Sequence, residues 1–254
     1  EIFFYRFLIA YLGIWVISPK RLFTNNWQDE LWLVAGGIFG GSLYFFTENT
    51  ALGITQASNV SFIICTAPLL TTILSLLFYK SEKASKGLIY GSLLALMGVG
   101  LIVFNGSFVL KISPIGDLLT LLAALSWAFY SLIIKKMAGR YPTIFITRKI
   151  FFYGVLTILP AFLLHPLHPD TAVLLQPAVL FNLLFLAVLA SLICYVLWNV
   201  VLKQLGTVRA SNYIYLNPLV TMIASFLILD EKITLVALGG AACIVCGVYW
   251  AEKK

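Results

Sequence analysis

Residues 87–105 read GLIYGSLLALMGVGLIVFN, a run of apolar and small side chains that contains no charged residue. A helix rises 1.5 Å per residue, so about 20 residues cross the roughly 30 Å of hydrocarbon in a bilayer. Only helices and closed barrels cross lipid, because every backbone N–H and C=O must be satisfied internally. Continuous rather than alternating apolarity favours the helix. The stretch therefore predicts a transmembrane helix.

Runs of the same kind recur along the whole chain. Of its 254 residues, 61% are hydrophobic and 11% are charged, whereas a soluble domain has about 25% charged residues. Short polar segments separate the runs, and nothing resembles a soluble domain. The sequence thus predicts an all-α membrane protein with about nine transmembrane helices. Their predicted ranges are 2–18, 31–52, 58–79, 87–105, 115–134, 144–164, 178–201, 211–229 and 234–251.

The basic residues indicate the orientation of these helices. If the 19–30 loop is cytoplasmic and the helices alternate, nearly all basic residues of the loops face the cytoplasm, and only Lys111 and Lys232 lie outside. Such a bias is typical of membrane proteins. It accounts for the formal charge of +7 without a nucleic-acid partner. We expect a bacterial inner-membrane protein whose complete chain has both termini in the cytoplasm.

The chain also repeats itself. Residues 53–59 (GITQASN) return as 206–212 (GTVRASN), and Asn49 and Asn199 each precede a proline, Pro68 or Pro218, by the same interval. In the predicted topology the first of these loops lies outside and the second inside, so the repeats are inverted, as in many secondary transporters. We expect one repeat over 1–105 with four helices and one over 115–251 with five. A further helix before Glu1 would complete a ten-helix bundle of two five-helix repeats.

Several short segments resemble the EamA-type branch of the drug/metabolite transporter superfamily. They are 123–130 (AALSWAFY), 205–211 (LGTVRAS), Asn217 with Pro218, 229–234 (LDEKIT), the glycines of the last helix and Arg6 in the first. The resemblance covers essentially the whole chain. It implies ten helices, two inverted five-helix repeats and a central cavity that alternates its opening. Members carry amino acids, other metabolites and drugs, often outward.

Two charges stand out within the predicted helices, Arg6 and Glu48. A charge inside a membrane helix is costly and is a functional candidate by default. The two residues lie at similar predicted depths in consecutive helices, so we expect them to meet. They could form a structural ion pair, or reach water at the interface. Alternatively Glu48 receives an ammonium group or a proton, while Arg6 sets its pKa or holds an acidic substrate.

Further polar and aromatic residues are candidates for the substrate cavity. Asn49 and Asn199 are repeat-related, and Asn199 either bridges helices or contacts substrate. Trp127 and Tyr130 share a helix face. Membrane aromatics often form interfacial belts, but Trp127 lies well inside its predicted helix, which favours a position of both residues in the cavity. Arg148 lies at a cytoplasmic helix end and is interpreted as a topology anchor.

Two prolines interrupt long apolar helices. Pro68 and Pro218 each lack an N–H and leave the carbonyl four residues back, of Ile64 or Ile214, without its helical donor. Repeat-related breaks of this kind indicate a central site or a hinge, although a kink that serves shape alone is an open alternative. Asn212 and Asn217 add polar groups in the same region. The glycine pairs at 36/40 and 37/41 predict close helix packing.

Together these features predict a secondary transporter. It would export a small polar or amphipathic metabolite that resembles an amino acid, by alternating access. Transport could be coupled to protons. No cofactor or metal is expected, since Cys243 and Cys246 lie on a helix and His165, His168 and Asp170 lie in a proline-rich turn. The sequence does not specify an oligomeric state. The alternatives are an intramembrane lipid-modifying enzyme and a non-transporting membrane scaffold or receptor.

Overall fold

The computed structural model describes residues 1–19, 23–24, 26–79, 85–104, 113–164, 167, 171–229 and 233–253. Within these residues the chain is helical and contains no strand. The long helices are α1 Ile2–Ile17, α2 27–54, α3 Ala57–Phe78, α4 Lys86–Phe104, α5 Pro114–Ala138, α6 Thr143–Leu163, α7 Pro177–Leu205, α8 Thr207–Ile228 and α9 Leu235–Glu252. A four-residue helix, Thr171–Leu174, precedes α7.

These helices fall on the nine predicted ranges. Among the described residues, 7 helices (α3 to α9) are long and apolar enough to cross a membrane, and α1 is a shorter apolar helix. The prediction of an all-α membrane protein is confirmed at this level. The ten-helix total and the inverted arrangement stay predictions.

Helix α2 begins earlier than predicted because its first turn is capped. The side chain of Asn26 accepts a hydrogen bond from the backbone N of Gln28 at 3.0 Å. Asp29 and Glu30 occupy the first turn, where the helix dipole favours negative charge. The polar residues at 27–30 therefore extend the helix rather than forming a loop.

Four of the helices depart from regular α geometry. Helix α2 contains a π-helical segment, Ile38–Ser42, and α7 contains another, Phe185–Ile193. Helix α3 is interrupted between Ala57–Ile64 and Ala67–Phe78, and α8 contains a 3₁₀ turn, Tyr213–Leu216. Pro68 and Pro218 are each the second residue after such an interruption, a position where a missing N–H costs no helical hydrogen bond.

The chain forms two compact units. The first comprises residues 1–45 and 129–204, and the second comprises 46–128 and 205–254. Each unit therefore combines segments from both halves of the sequence. A compact unit of the fold need not coincide with a sequence repeat, so the division into repeats at 1–105 and 115–251 stays a prediction.

Glycines let helices approach closely within the first unit. A Cβ atom added at Gly37 would lie 2.5 Å from Cβ of Tyr153 and 2.9 Å from the backbone N of Gly154 on α6. At Gly41 it would lie 3.2 Å from Cα of Gly154. Gly40 packs in the same way against the ring of Tyr130. The predicted role of these glycines in close packing is confirmed.

A longer glycine seam holds α4 against α9 in the second unit. The two helices run antiparallel, with Gly91 facing Gly247 and Gly98 facing Gly240. A Cβ atom at Gly98 would lie 2.5 Å from the carbonyl O of Gly240, and one at Gly247 would lie 2.5 Å from the backbone N of Ala95. Backbone-to-backbone contact of this kind is a common way for membrane helices to associate.

Candidate functional site

The second unit contains a cavity of about 670 Å³, within the range of small-molecule sites. Segments of α2, α3, α4, α8 and α9 form its walls. The polar lining residues are Glu48, Ser58, Ser61, Asn217, Thr221 and Ser225. The larger apolar ones are Leu52, Val60, Ile64, Ile102, Val103, Met222 and Ile233. The cavity thus offers a mostly apolar wall with a few polar groups, which suits an amphipathic molecule.

Glu48 supplies the carboxylate of this cavity. Among the described lining residues it alone is charged, and its side chain is half-buried. Ionised carboxylates accept hydrogen bonds and pair with cations. The neighbouring hydroxyls and the Asn217 amide can both donate and accept. A ligand with one cationic group and an apolar remainder would satisfy this arrangement.

The interruptions of α3 and α8 border the same cavity. Ile64 and Cys65, at the break in α3, line it together with Asn217 and Pro218, which follow the 3₁₀ turn of α8. Pro68 is buried and has no N–H to offer the carbonyl of Ile64. The structure therefore brings Glu48, Asn217 and Pro218 together around one space. Their roles in substrate binding and as a hinge stay predictions.

A different polar network occupies the first unit. The Tyr130 hydroxyl donates to Oδ1 of Asn199 at 2.7 Å, and Nδ2 of Asn199 donates to Oγ1 of Thr147 at 2.9 Å. All three residues are 0% exposed. The Tyr195 hydroxyl donates to the carbonyl of Gly40, in the π segment of α2, at 2.7 Å. This network holds α5, α6 and α7 in register, and a role of Tyr130 and Asn199 in substrate contact stays a prediction.

Arg6 lies in the first unit and is half-buried. Its Nε donates to Oγ of Ser191 at 2.8 Å, and its guanidinium lies 4.7 Å from the centre of the Phe45 ring. Ser191 belongs to the π segment of α7. Glu48 belongs to the second unit, so its predicted meeting with Arg6 stays a prediction.

Comparison with known proteins identifies the family. The chain matches the EamA-like transporter family over residues 1–104 and 114–251. The chain belongs to the EamA-like transporter family. An uncharacterized transporter of Archaeoglobus fulgidus is 30% identical over 99% of this chain and 86% of its own. A probable amino-acid metabolite efflux pump of Escherichia coli is 24% identical over 95% of this chain and 81% of its own.

A solved protein structure has the same fold, with a TM-score of 0.81 and 17% identity over 99% of this chain and 86% of that one. The EamA-like assignment makes the protein an integral membrane transporter for a small molecule. The alternatives of a lipid-modifying enzyme and a non-transporting scaffold are not supported, because the family and the relatives are transporters.

One charged cluster of this EamA-like protein was not predicted. Lys149 on α6 is 0% exposed, and its ammonium donates to Oε1 of Glu30 and to the Tyr153 hydroxyl. The Tyr153 hydroxyl also donates to Glu30. Arg6 and Glu48 were singled out from the sequence among the helix charges, whereas Lys149 and Glu30 were not; the roles of Arg6 and Glu48 stay predictions. Lys149 lies six residues after Thr143, where α6 begins, and meets Glu30 in the first turn of α2.

Other charged groups surround that cluster. Asp29 accepts from the guanidinium of Arg140 and, at 2.9 Å, from the hydroxyl of Tyr141. Arg148 is 1% exposed and donates to the carbonyl of Ser18. Burial raises the pKa of Tyr141, and its hydrogen bond to Asp29 acts in the same direction. The signal available in the sequence was the acidic pair at 29–30 near the same predicted membrane surface as these basic residues.

The remaining candidates of the EamA-like chain are dispersed. Trp127 is half-buried in the second unit and does not line the 670 Å³ cavity. Asn49 is exposed. Asn212 is 0% exposed, and its amide has no hydrogen-bond partner within the described part of the chain. Residues 165, 168 and 170, considered for metal binding, lie outside the described residues. No metal-binding group of His, Cys, Asp or Glu occurs in the part that is described.

Proposed function

We propose that this protein is a secondary transporter that exports an amino-acid-like metabolite by alternating access, with Glu48 as the group that binds the cationic end of the substrate. The observation that carries the proposal is the cavity of about 670 Å³, which is lined by one carboxylate, several hydroxyls and an amide among mostly apolar side chains. An amino acid has an ammonium group for the carboxylate and a side chain for the wall. The amide of Asn217 can donate to the substrate carboxylate.

Relatives support the choice of substrate class. Proteins of Escherichia coli and Salmonella typhimurium that are 24% and 29% identical to this chain are described as probable amino-acid metabolite efflux pumps. Export against a gradient needs an energy source, and Glu48 can supply proton coupling. A carboxylate that binds either a proton or an ammonium group exchanges one for the other, which is the requirement for antiport.

The geometry also supports a way to move. The cavity is bordered by the broken helix α3 and by α8 with its 3₁₀ turn. Interrupted helices in corresponding positions of two repeats are typical of transporter binding sites. We propose that residues 1–105 and 115–251 act as inverted repeats and that Pro68 and Pro218 mark the points of bending. We also propose an inner-membrane location with cytoplasmic termini.

Transport in proteoliposomes tests the role of Glu48. Substrates are first selected by a thermal-shift screen of amino acids, and counterflow of the labelled compound is then measured with wild type and variants. We expect Glu48→Gln to reduce transport at least about tenfold, since loss of a charge-assisted hydrogen bond removes about 1.5–3 kcal/mol. Glu48→Asp keeps the carboxylate and should retain more activity than Glu48→Gln.

A neighbouring residue supplies the matched control. Thr50 is exposed, and its hydroxyl donates to the carbonyl of Phe46 in its own helix, so Thr50→Ala should transport normally. The N-acetylated form of the same amino acid lacks the ammonium group and should not compete with it. Full transport by folded Glu48→Gln, or equal competition by the acetylated compound, would remove Glu48 from substrate binding.

A further inference from the structure

A second pocket of about 290 Å³ lies in the second unit and shares no lining residue with the larger cavity. It lies where α8 begins and α9 ends. Its lining residues are Thr72, Leu76, Ser85, Leu88, Leu205, Gly206, Thr207, Val208, Arg209, Ala251, Glu252 and Lys253. Because the ends of membrane-spanning helices lie near the surface of a bilayer, we expect this pocket to lie at the level of the lipid headgroups.

Two buried polar atoms at this pocket have no hydrogen-bond partner within the described part of the chain. Thr207 is 0% exposed, and its Oγ1 has no partner among the residues that the structure describes. Oε1 of Glu252 is also buried and has no partner within the same ranges. Buried polar atoms in proteins nearly always have a partner. A carboxylate oxygen only accepts, so the missing partner of Glu252 is a hydrogen-bond donor.

Cationic side chains line the same pocket. Arg209 and Lys253 are exposed residues of its lining, and guanidinium and ammonium groups bind phosphate through charge-assisted hydrogen bonds. The pocket therefore combines two cations with a half-buried carboxylate, one oxygen of which is buried. A ligand that carries both a phosphate and an ammonium group matches these charges.

An aromatic groove of about 520 Å³ continues from this pocket. It shares Ser85 and Lys253 with the pocket and is also lined by Lys86, Gly87, Tyr90 and Trp250. Tyr90 is 64% exposed and Trp250 is 52% exposed. Exposed Tyr and Trp side chains at helix ends are typical of the membrane interface. A free phosphate would not use this groove, whereas the glycerol and acyl chains of a lipid would.

We propose that this pocket and groove form a binding site for a phospholipid whose headgroup is a primary ethanolamine. The phosphate lies against Arg209 and Lys253, the ammonium group donates to Glu252 and Thr207, and the acyl chains run along Tyr90 and Trp250. The site is independent of the proposed substrate and needs only the location of the protein in a membrane. Choline lipids carry the same charges but have no N–H to donate.

Native mass spectrometry of the full chain in detergent tests the site with phosphatidylethanolamine, phosphatidylcholine and the soluble headgroup glycerophosphoethanolamine. We expect the ethanolamine lipid to bind about tenfold more tightly than the choline lipid, because charge-assisted hydrogen bonds are lost on methylation. Glu252→Gln should remove most of this preference. Arg209→Gln with Lys253→Gln should weaken both lipids, and Lys136→Gln, at an exposed lysine of α5, should change neither.

Thr207→Val removes the buried hydroxyl at constant shape and serves as a second variant if Glu252→Gln fails to fold. It should also reduce the preference for ethanolamine. Equal binding of the two lipids to wild type would overturn the proposal. Equally tight binding of the chain-free headgroup would show a phosphate-ester site rather than a lipid site and would overturn it as well.

Discussion

Replacing Lys149 by Met should destabilise the protein far more than the same change at an exposed lysine. Lys149 is 0% exposed and Glu30 is 7% exposed, so the substitution leaves a buried carboxylate without its cation. Removing one partner of a buried ion pair costs about 3–5 kcal/mol in known cases. The backbone N and hydroxyl of Thr24 still donate to Glu30, at 2.9 and 2.6 Å, which places the expected cost at the lower end of that range.

Protonation of Glu30 sets an upper limit on the cost of leaving its charge unpaired. Glu30 could escape its unpaired charge by taking up a proton, and at pH 7 this costs about 3.4 kcal/mol from its ordinary pKa of 4.5, at 1.36 kcal/mol per unit. Protonation therefore limits the penalty from the charge to about that value. For a chain of this size, each kcal/mol lowers the midpoint of thermal unfolding by about 2–4 °C. The expected decrease is about 6–12 °C.

The assay is thermal unfolding of purified protein in detergent, followed by the fluorescence of its six tryptophans. The matched control is Lys136→Met, since Lys136 is exposed and its ammonium lies 3.6 Å from the centre of the Trp32 ring. This variant should lower the free energy of unfolding by about 1 kcal/mol or less, the size of an exposed cation–π contact. The double variant Glu30→Gln with Lys149→Met removes both charges and should recover most of the loss. Equal midpoints for the two lysine variants would refute the reasoning, and an unrecovered double variant would assign the loss to packing.

Three further predictions concern stability in the same assay. Gly247→Ala should lower the unfolding midpoint strongly, because the added Cβ would lie 2.5 Å from the backbone N of Ala95. Gly239→Ala on the same helix should not lower it, because no atom of the other described helices lies within 4 Å of the Cβ added there. Tyr130→Phe removes the hydroxyl that donates to Oδ1 of Asn199 and should lower the free energy of unfolding by about 1–3 kcal/mol. A change near zero would mean that water replaces the hydroxyl. Burial raises the pKa of Glu30, but hydrogen bonds from Lys149, Thr24 and Tyr153 together lower it from 4.5 to about 2. The stabilisation by Glu30 is thus fully present above about pH 4.5 and decreases toward pH 2. The difference in unfolding midpoint between wild type and Glu30→Gln should therefore shrink as the pH falls through that interval. A difference that stays constant would contradict this prediction.

The sequence predicted the helices well because each follows from a local property. Runs of about 20 apolar residues have one stable arrangement in lipid, and the described helices fall on those runs. Boundaries differ where a cap or a polar first turn extends a helix, as Asn26 does for α2. The two π segments were not predicted, because nothing in the apolar composition of 38–42 or 185–193 distinguishes them from regular helix.

The candidate site was predicted in part. Glu48, Asn217 and Pro218 were chosen separately, as a helix charge, a polar neighbour and a helix break, and the structure places them around one cavity. Tyr130 and Asn199 were chosen for the same cavity, but they hydrogen-bond to each other in the first unit. Sequence spacing gives the face of a helix on which a residue lies; it does not give the neighbouring helix that the face contacts.

The amino-acid sequence by itself determined that this protein is a helical membrane protein, since hydrophobicity and length act residue by residue along the chain. Its ordered motifs also determined the transporter family. Only the tertiary structure decided which polar groups share an environment. Glu30 and Lys149 are 119 residues apart and meet, while Arg6 bonds to Ser191 across 185 residues. Such pairs depend on which helices pack together, and in a chain so rich in apolar residues many pairings bury similar surface, so the choice rests on a few close glycine contacts and buried polar bonds.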